Sequence, residues 1–384
     1  TPHFNRLAAE SAIFENCLAL SPNVADAYAA WWTGRRPGVA ESLWPGVDLP
    51  TQCAAHGVDA VLLTDDAEVA ALPGAQAFAR TRLLELPAAS SCAEELEQTQ
   101  LAQLFAAAID ELSRLKPPYL LWVHARGMAG AWDAPLALRS SLTGEDDPPP
   151  PESAATPSLV LAEDYDPDDL QGLACAYGGQ VMLLDACLGA LLQSLPAEAA
   201  ADETLLAFTS PRGFPLGEHH IVGDGAVALY GELLQTPLLM RRAGGDGAMA
   251  RLHELVQSSD LAPTLFDWLG MPHTDQPTLA ASLLPLLEPA RGAWPRDHVC
   301  ICGPAQRAIR TAGWFLREST GEGAPRHELF CKPDDRWEAN EVADRCGEVV
   351  EQLLAALDKW RQKTAQGDFT AGDALPDELT AGAE

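Results

Sequence analysis

The chain has 384 residues, of which 55 are acidic and 25 are Lys or Arg, for a formal charge of -30 and an apolar share of 47%. That length and apolar share support a sizeable core, either one large domain with an appendage or two domains. The negative charge repels phosphate backbones and anionic membranes, which argues against nucleic acid as a partner and, more mildly, against a sulfated polymer.

No apolar run is read as reaching the roughly 18 residues of a membrane span, so none is expected. The chain starts at Thr1, and the absence of a visible signal peptide is uninformative. Nine cysteines without framework spacing read as reduced thiols rather than disulfides, which favours a cytoplasmic setting. Cys300 and Cys302 would share one face of a strand, and with no further soft ligands nearby they read as a buried pair rather than a zinc site.

In chain order, residues 3–20 open with a helical pattern at Phe4, Leu7 and Ala8 and end in an apolar stretch. AYAAWW (residues 27–32) reads as an apolar helix segment. Leu49 to Asp66 reads as a helix, a stop at Gly57 and the strand AVLLT. His56, just before that stop, reads as a charge at a helix C-terminus. Apolar positions at Leu101, Leu104, Phe105, Ala108 and Leu112 predict an amphipathic helix. Pro117-Pro118 stops it, and YLLWVHA is a buried strand ending near His124. Trp132 to Pro135 reads as a loop anchor. Residues 141–159, SLTGEDDPPPPESAATPSL, show no periodicity and are expected to be extended, exposed and mobile. Asp166-Pro167-Asp168-Asp169 then caps a long core helix with Tyr177, Val181, Leu184 and Leu188 along one face.

Chemistry is expected in the stretch from Thr204 to Met240. TLLAF reads as a buried strand, broken at Ser210-Pro211-Arg212-Gly213, and a polar loop with Glu218, His219, His220 and Asp224 follows. In an open α/β sheet, the loop leaving a strand's carboxyl end is where ligands and reactive groups gather. Further on, residues 293–317 read as strands, Gly347 to Trp360 as a last helix, and 361–384 as a disordered acidic tail.

Several of these stretches resemble, in order, the sulfatase branch of the alkaline phosphatase superfamily. TPHFNRLAAESAIFENC is similar to the family's TPNLDRLAAEG-x-x-F-x-N-A. TSPRGFPLGEH and LYGELLQTPLL resemble TSDHG-x-x-LGEH and LYEE-x-x-x-VPL, and LVQSSDLAPTLFDWLGMP resembles L-V-S-x-x-D-L-x-P-T-L-L-D-L-A-G. The resemblance implies an α/β fold, with a central mostly parallel sheet flanked by helices and a smaller C-terminal α+β subdomain. It places a sulfatase-like domain at 1–292, the subdomain at 293–360 and the tail beyond. The family strand that carries two metal-binding Asp residues ahead of this first segment is not in the chain as given.

The functional positions depart from the family. With Thr33-Gly34 as anchor for C-x-P-S-R-A-S-L-L-T-G, the nucleophile position falls on Val24 and the family Arg on Tyr28. The metal-binding Asp and His of SDHG fall on Pro211 and Arg212, and the family Lys on Asp224. Aligning the family's L-W-V-H on His124 leaves its catalytic second His near Ala129. Valine cannot mature to formylglycine, and a hard cation needs an oxygen cage, so the family's calcium and formylglycine are both expected to be absent.

The resemblance therefore implies a sulfuric ester hydrolase by descent, expected to be an inactive pseudosulfatase that binds a small anionic ligand. Arg212 is the main ligand-binding candidate, with His124 and His219 beside it. The alternative is an active hydrolase of sulfate or phosphate esters with a non-standard site drawn from Glu218, His219, His220, Asp224 and His124. Plainer readings stand beside these: His124 as a structural histidine, Arg212 in a salt bridge to Glu218 or Asp224, and the Glu-His-His run as a solvated loop. No protein partner is legible in the sequence.

Overall fold

The computed structural model describes residues 1–35, 48–195, 204–223, 228–272, 280–288, 294–320, 324–368 and 374–380. Among these, the strands are β1 (Ala12–Leu18), β2 (Asp59–Thr64), β3 (Arg80–Leu83), β4 (Tyr119–His124), β5 (Leu159–Val160), β6 (Leu206–Thr209) and β7 (Ile221–Val222). They continue with β8 (Leu238–Arg241), β9 (Arg251–Gln257), β10 (His298–Cys302), β11 (Gln306–Thr311), β12 (Trp314–Ser319) and β13 (Arg326–Cys331). The chain divides into two compact units.

The first unit comprises Thr1–Glu10, Cys53–Thr204 and Phe214–Ala226. Its main sheet is three-stranded and parallel, in the order β3-β2-β4, with Leu62 opposite Trp122 and Thr64 opposite His124. Residues 60–64 of β2 are all buried, as a central strand covered on both faces requires, and AVLLT has the uninterrupted apolar composition for that place. The helix Gln100–Leu112 starts on the Thr99 hydroxyl, which accepts the Ala102 amide, and packs Leu104 and Ala108 on Leu63.

The helix Pro167–Ser194 begins at Asp166, whose carboxylate accepts the Asp168 amide, with Pro167 in the first turn. By length and composition it is apolar enough to cross a membrane, contrary to the expectation that no run is. Its packing identifies it as a core helix of this unit. Leu183 and Cys187 join Leu101 and Phe105 in one cluster, and half of its most apolar window is buried. Buried Asp185 accepts the Phe4 amide at 2.7 Å and the His3 amide at 3.3 Å, capping the helix Pro2–Ala9, which its own Thr1 side chain leaves uncapped. Gly179 lets the helix Leu136–Ser140 approach, because a Cβ there would lie 2.8 Å from Arg139 Cγ and 3.1 Å from Arg139 N.

Residues 141–159 differ from the extended, mobile loop expected. The first part, 141–149, is largely exposed, and the second alternates exposed residues with anchored ones. In the second part, fully buried Arg139 donates to the carbonyls of Pro151, Ser153 and Trp132. The Cys92 amide bonds Glu152 O at 2.9 Å, and the Trp132 amide bonds Ala154 O at 2.9 Å. Ala154 is 1% exposed. Composition alone reads this segment as unable to bury surface, but its backbone groups find partners on other loops.

The second unit comprises Ser11–Gln52, Leu205–Gly213 and Val227–Glu384. Its first sheet has the order β6-β8-β1-β9, with β1 parallel to β9 and antiparallel to β8, and β6 antiparallel to β8. Phe14, Met240, Leu252, Val256 and Leu286 pack around it. The α/β architecture is the one the sequence implies, with this sheet mixed rather than uniformly parallel. A separate antiparallel sheet, β10-β11-β12-β13, carries the C-terminal part, and the helix Gly347–Ala365 packs Val350, Leu353 and Leu357 on Ile309, Leu316 and Leu329.

Residues 361–365, read from sequence as the start of a disordered tail, are the last turns of that helix. Among the described residues beyond it, Asp377–Thr380 is a short helix, and Leu379 joins the same cluster at 2% exposure. Leu375 and Leu379 give this acidic segment apolar surface to bury, and the Leu375 amide donates to Asp297 Oδ2 at 2.7 Å. All nine cysteines are free thiols.

Candidate functional site

At the carboxyl end of the parallel sheet in the first unit, β2 delivers Asp65 and Asp66 beside the end of β4, because Thr64 and His124 are register partners. This is where an α/β sheet presents its loops. Asp66 starts the short helix Ala67–Ala70, its Oδ1 accepting the amides of Glu68 at 2.8 Å and Val69 at 3.4 Å. Its other oxygen, Oδ2, lies 3.6 Å from Nε2 of His124, which is buried. The His124 ring, aided by the two capping amides, holds the Asp66 carboxyl below its ordinary value against the opposing cost of burial.

Asp65 turns the other way. Its Oδ1 accepts the Arg126 amide at 2.9 Å, and its Oδ2 lies 3.7 Å from Arg126 Nε. Arg126 Nη2 donates to Gln100 Oε1 at 3.2 Å. Gln100 and Asp133 continue the network inward, with the Gln100 amide bonded to Asp133 Oδ2 at 2.7 Å. Burial pushes the Asp133 carboxyl up. Trp132 is the anchor expected of its loop: it is 1% exposed, its Nε1 donates to Met128 O at 2.8 Å, and its ring contacts Tyr177 and Phe214.

The result is an imidazole and a guanidinium at the end of β4, each set against an aspartate that follows the adjacent strand β2. Sequence reasoning singled out His124 and missed Asp65, Asp66 and Arg126. The available signal was a pair of acids directly after an apolar strand, in the position where loops carry function.

The Glu218-His219-His220 run, in the same unit, is not a loosely solvated loop. Glu218 Oε2 accepts the Leu216 amide at 2.7 Å, and the His220 carbonyl accepts the Leu161 amide at 2.7 Å. His219 and His220 both take left-handed backbone angles, with φ of 49° and 61°. Such angles are uncommon outside glycine, and the flanking hydrogen bonds hold them. His219 is partly buried and His220 exposed. Asp224 lies outside the described residues.

The remaining candidates belong to the second unit. Val24 is the first residue of the helix Val24–Thr33, where Asn23 caps the Ala25 amide at 2.9 Å and Ser21 Oγ donates to Asp26 Oδ2 at 2.7 Å. An aliphatic side chain stands at this helix N-terminus. Tyr28 is 2% exposed and packs its ring on Trp31 and Trp32, with centroids 5.0 and 4.7 Å away. It fills core space and is not presented to a ligand.

Pro211 and Arg212 follow β6 in a tight turn. Ser210 Oγ donates to Arg212 O at 2.6 Å, and the Gly213 amide to Leu233 O at 2.8 Å. A Cβ on Gly213 would lie 2.0 Å from Glu232 O, so only glycine fits that close approach. Arg212 is partly buried at the end of this turn. Pro211 offers no side-chain donor atom and Arg212 carries a fixed positive charge, so this pair does not fit a calcium ion. Among the described residues, no group of three or more His, Cys, Asp and Glu side chains is arranged to hold a metal ion.

A family model described as Sulfatase matches residues 1–271. The chain is 32% identical over 123 residues to the multifunctional alkaline phosphatase superfamily protein PehA of Trinickia caryophylli, a match covering 32% of this chain and 23% of that protein. It is 31% identical over 121 residues to an N-acetylglucosamine-6-O-sulfatase of Bacteroides thetaiotaomicron, covering 32% of this chain and 21% of that one. The matched stretches thus span less than a quarter of these curated relatives. The fold is similar to that of the phosphonate monoester hydrolase of Agrobacterium radiobacter, with a TM-score of 0.74 at 19% identity over 95% of this chain and 91% of that one.

Proposed function

The chain belongs to the sulfatase family, and from that premise we propose that it binds a small anion without hydrolysing an ester. The observation that carries this reading is Val24 at the head of the helix Val24–Thr33, in the position where the family's nucleophile is expected. A valine has no heteroatom with which to attack sulfur or phosphorus. The Arg212 guanidinium, in the turn after β6, supplies the positive charge that a cation would supply in the family, and its fork of donors suits a tetrahedral oxyanion. In this reading the protein carries neither calcium nor formylglycine. The relatives are named as a sulfatase and as a multifunctional superfamily member, so the anion proposed is a sulfate or phosphate group.

The test uses the full chain with aryl sulfates, aryl phosphates and calcium. We expect no turnover above background and no calcium binding at micromolar concentration. Sulfate or phosphate should raise the melting temperature in a saturable way, and Arg212→Ala should remove that rise. Turnover that survives repurification and disappears with a chelator would overturn the proposal. The His124–Asp66 pair supports a second reading, a hydrolase with a non-standard site, because an imidazole set against a carboxylate is a general acid–base arrangement. In that case turnover would be insensitive to chelator and abolished by His124→Ala.

A further inference from the structure

The C-terminal sheet of the second unit brings two free thiols to one end of the helix Gly347–Ala365. Cys331 is the last residue of β13, and Cys346 immediately precedes the helix. Side chains alternate along a strand, so Cys331 shares a face with Leu329 and His327. The helix covers that face. Leu329 clusters with Val350 and Leu353 of the helix, and His327 lies 3.2 Å from Glu318, whose partner Arg307 also pairs with Asp358 of the helix. Asp358 therefore stands near the start of β13, while Val342, just ahead of Cys346, bonds Leu329 near its end. Helix and strand run in opposite directions. From Asp358 back to Cys346 the chain covers about 18 Å of helix, and from His327 on to Cys331 it covers about 13 Å of strand. Both thiols emerge at the same end of the layer.

Hydrogen bonds fix this approach. The Val342 amide donates to Leu329 O at 2.9 Å, and the Cys346 amide donates to Val342 O at 3.1 Å, closing the turn that delivers the second thiol. Trp314, the register partner of Cys331 on β12, packs in the same cluster as Cys346. The two sulfurs also act on each other. Burial pushes the Cys331 thiol up, and the next largest push comes from Cys346, ahead of those from Asp335 and Asp334. Both thiols are partly buried, whereas Cys17, Cys53, Cys175, Cys187 and Cys300 are enclosed. A small reagent therefore reaches this pair more readily than it reaches those five.

We propose that Cys331 and Cys346 form a redox-sensitive pair, which a small disulfide such as oxidised glutathione converts reversibly to an intramolecular disulfide. The Cys346 thiolate attacks one sulfur of the reagent and expels a glutathione thiolate, leaving a mixed disulfide on Cys346. Cys331 then gives its proton to solvent and attacks the Cys346 sulfur, expelling the second glutathione. The two protein thiols have lost two protons and two electrons, and the reagent has become two thiols. The new bond closes residues 332–345, which carry the exposed Trp337, into a loop between sheet and helix. The pair is independent of the anion-binding and hydrolytic readings. The test incubates the full chain with oxidised glutathione and digests it without reduction. One linked peptide pair, Cys331 to Cys346, should appear and should separate with dithiothreitol. Cys331→Ser should abolish the link and retain glutathione on Cys346, because the resolving thiol is gone. Cys302→Ser should leave the link intact. A folded parent protein in which both thiols stay reduced, or in which each carries its own glutathione, would overturn the proposal. So would a link that forms only in urea.

Discussion

Arg296 grips both carboxylate oxygens of Asp260, at 2.6 and 2.8 Å, where Asp260 is fully buried. The same carboxylate accepts the amides of Gln257 at 2.8 Å and Ala281 at 3.0 Å. One side chain thus ties the end of β9, the start of the helix Leu261–Trp268 and the segment before β10 into a single network.

Breaking this pair should be costly. Arg296→Ala leaves an uncompensated buried carboxylate and should destabilise the second unit by about 3–5 kcal/mol. Arg296→Lys should recover only part, because an ammonium cannot reproduce the two-pronged grip. Urea unfolding followed by tryptophan fluorescence measures both. A loss within experimental error for Arg296→Ala would show that the network is not a stabilising hub.

Asp66 predicts a pH dependence whose sign follows from its lowered folded-state pKa. Its contribution to stability is complete above the unfolded-state value, taken as the ordinary 3.8, and is lost as pH falls through the lower folded-state value. Asp66→Asn preserves a helix-capping oxygen but removes the charge that faces His124. The variant should therefore be less stable than the parent at neutral pH, with the gap closing in acid below the ordinary carboxyl range. Denaturant unfolding of both proteins across that range checks it. A gap of constant size would mean that the carboxylate's charge is not what His124 stabilises.

The buried thiols should resist alkylation. Desolvation pushes both Cys17 and Cys187 up to about 12, and the thiolate is the reactive form. In the native protein at about pH 8, iodoacetamide should leave these two unmodified and should label them once urea is added. Peptide mass spectrometry reads the sites directly. Labelling of Cys17 in the folded protein at the rate of a free thiol would contradict the packing around β1.

The Pro- and acid-rich segment should be cut in its first half only. Residues 144–147 are exposed, whereas Arg139 and the strand-like contacts of Cys92 and Trp132 hold 151–154. Limited digestion with a Glu-specific protease should therefore cut after Glu145 well before Glu152. Arg139→Ala should make the two sites comparably sensitive. Equal cleavage in the parent protein would show that the anchoring contacts are weak.

Much of this protein was legible in the chain itself. Apolar periodicity located the helix Gln100–Leu112, and uninterrupted apolar runs located β2 and β4, although β4, expected to be buried, is only partly buried apart from His124. Capping residues located the start of the helix Pro167–Ser194. The ordered motifs identified the family, and the aliphatic residue at Val24 and the Pro211-Arg212 pair were visible by simple register. Tertiary structure alone decided the rest. Asp66 meets His124 across 58 positions of sequence, Arg296 meets Asp260, and Arg139 organises a segment that composition reads as mobile. Such pairings leave no local periodicity, because a hydrogen bond or ion pair is selected by where two backbones converge. A short apolar tail segment was misread for the same reason: Leu379 is unremarkable until a helix and a sheet offer it a place to be buried.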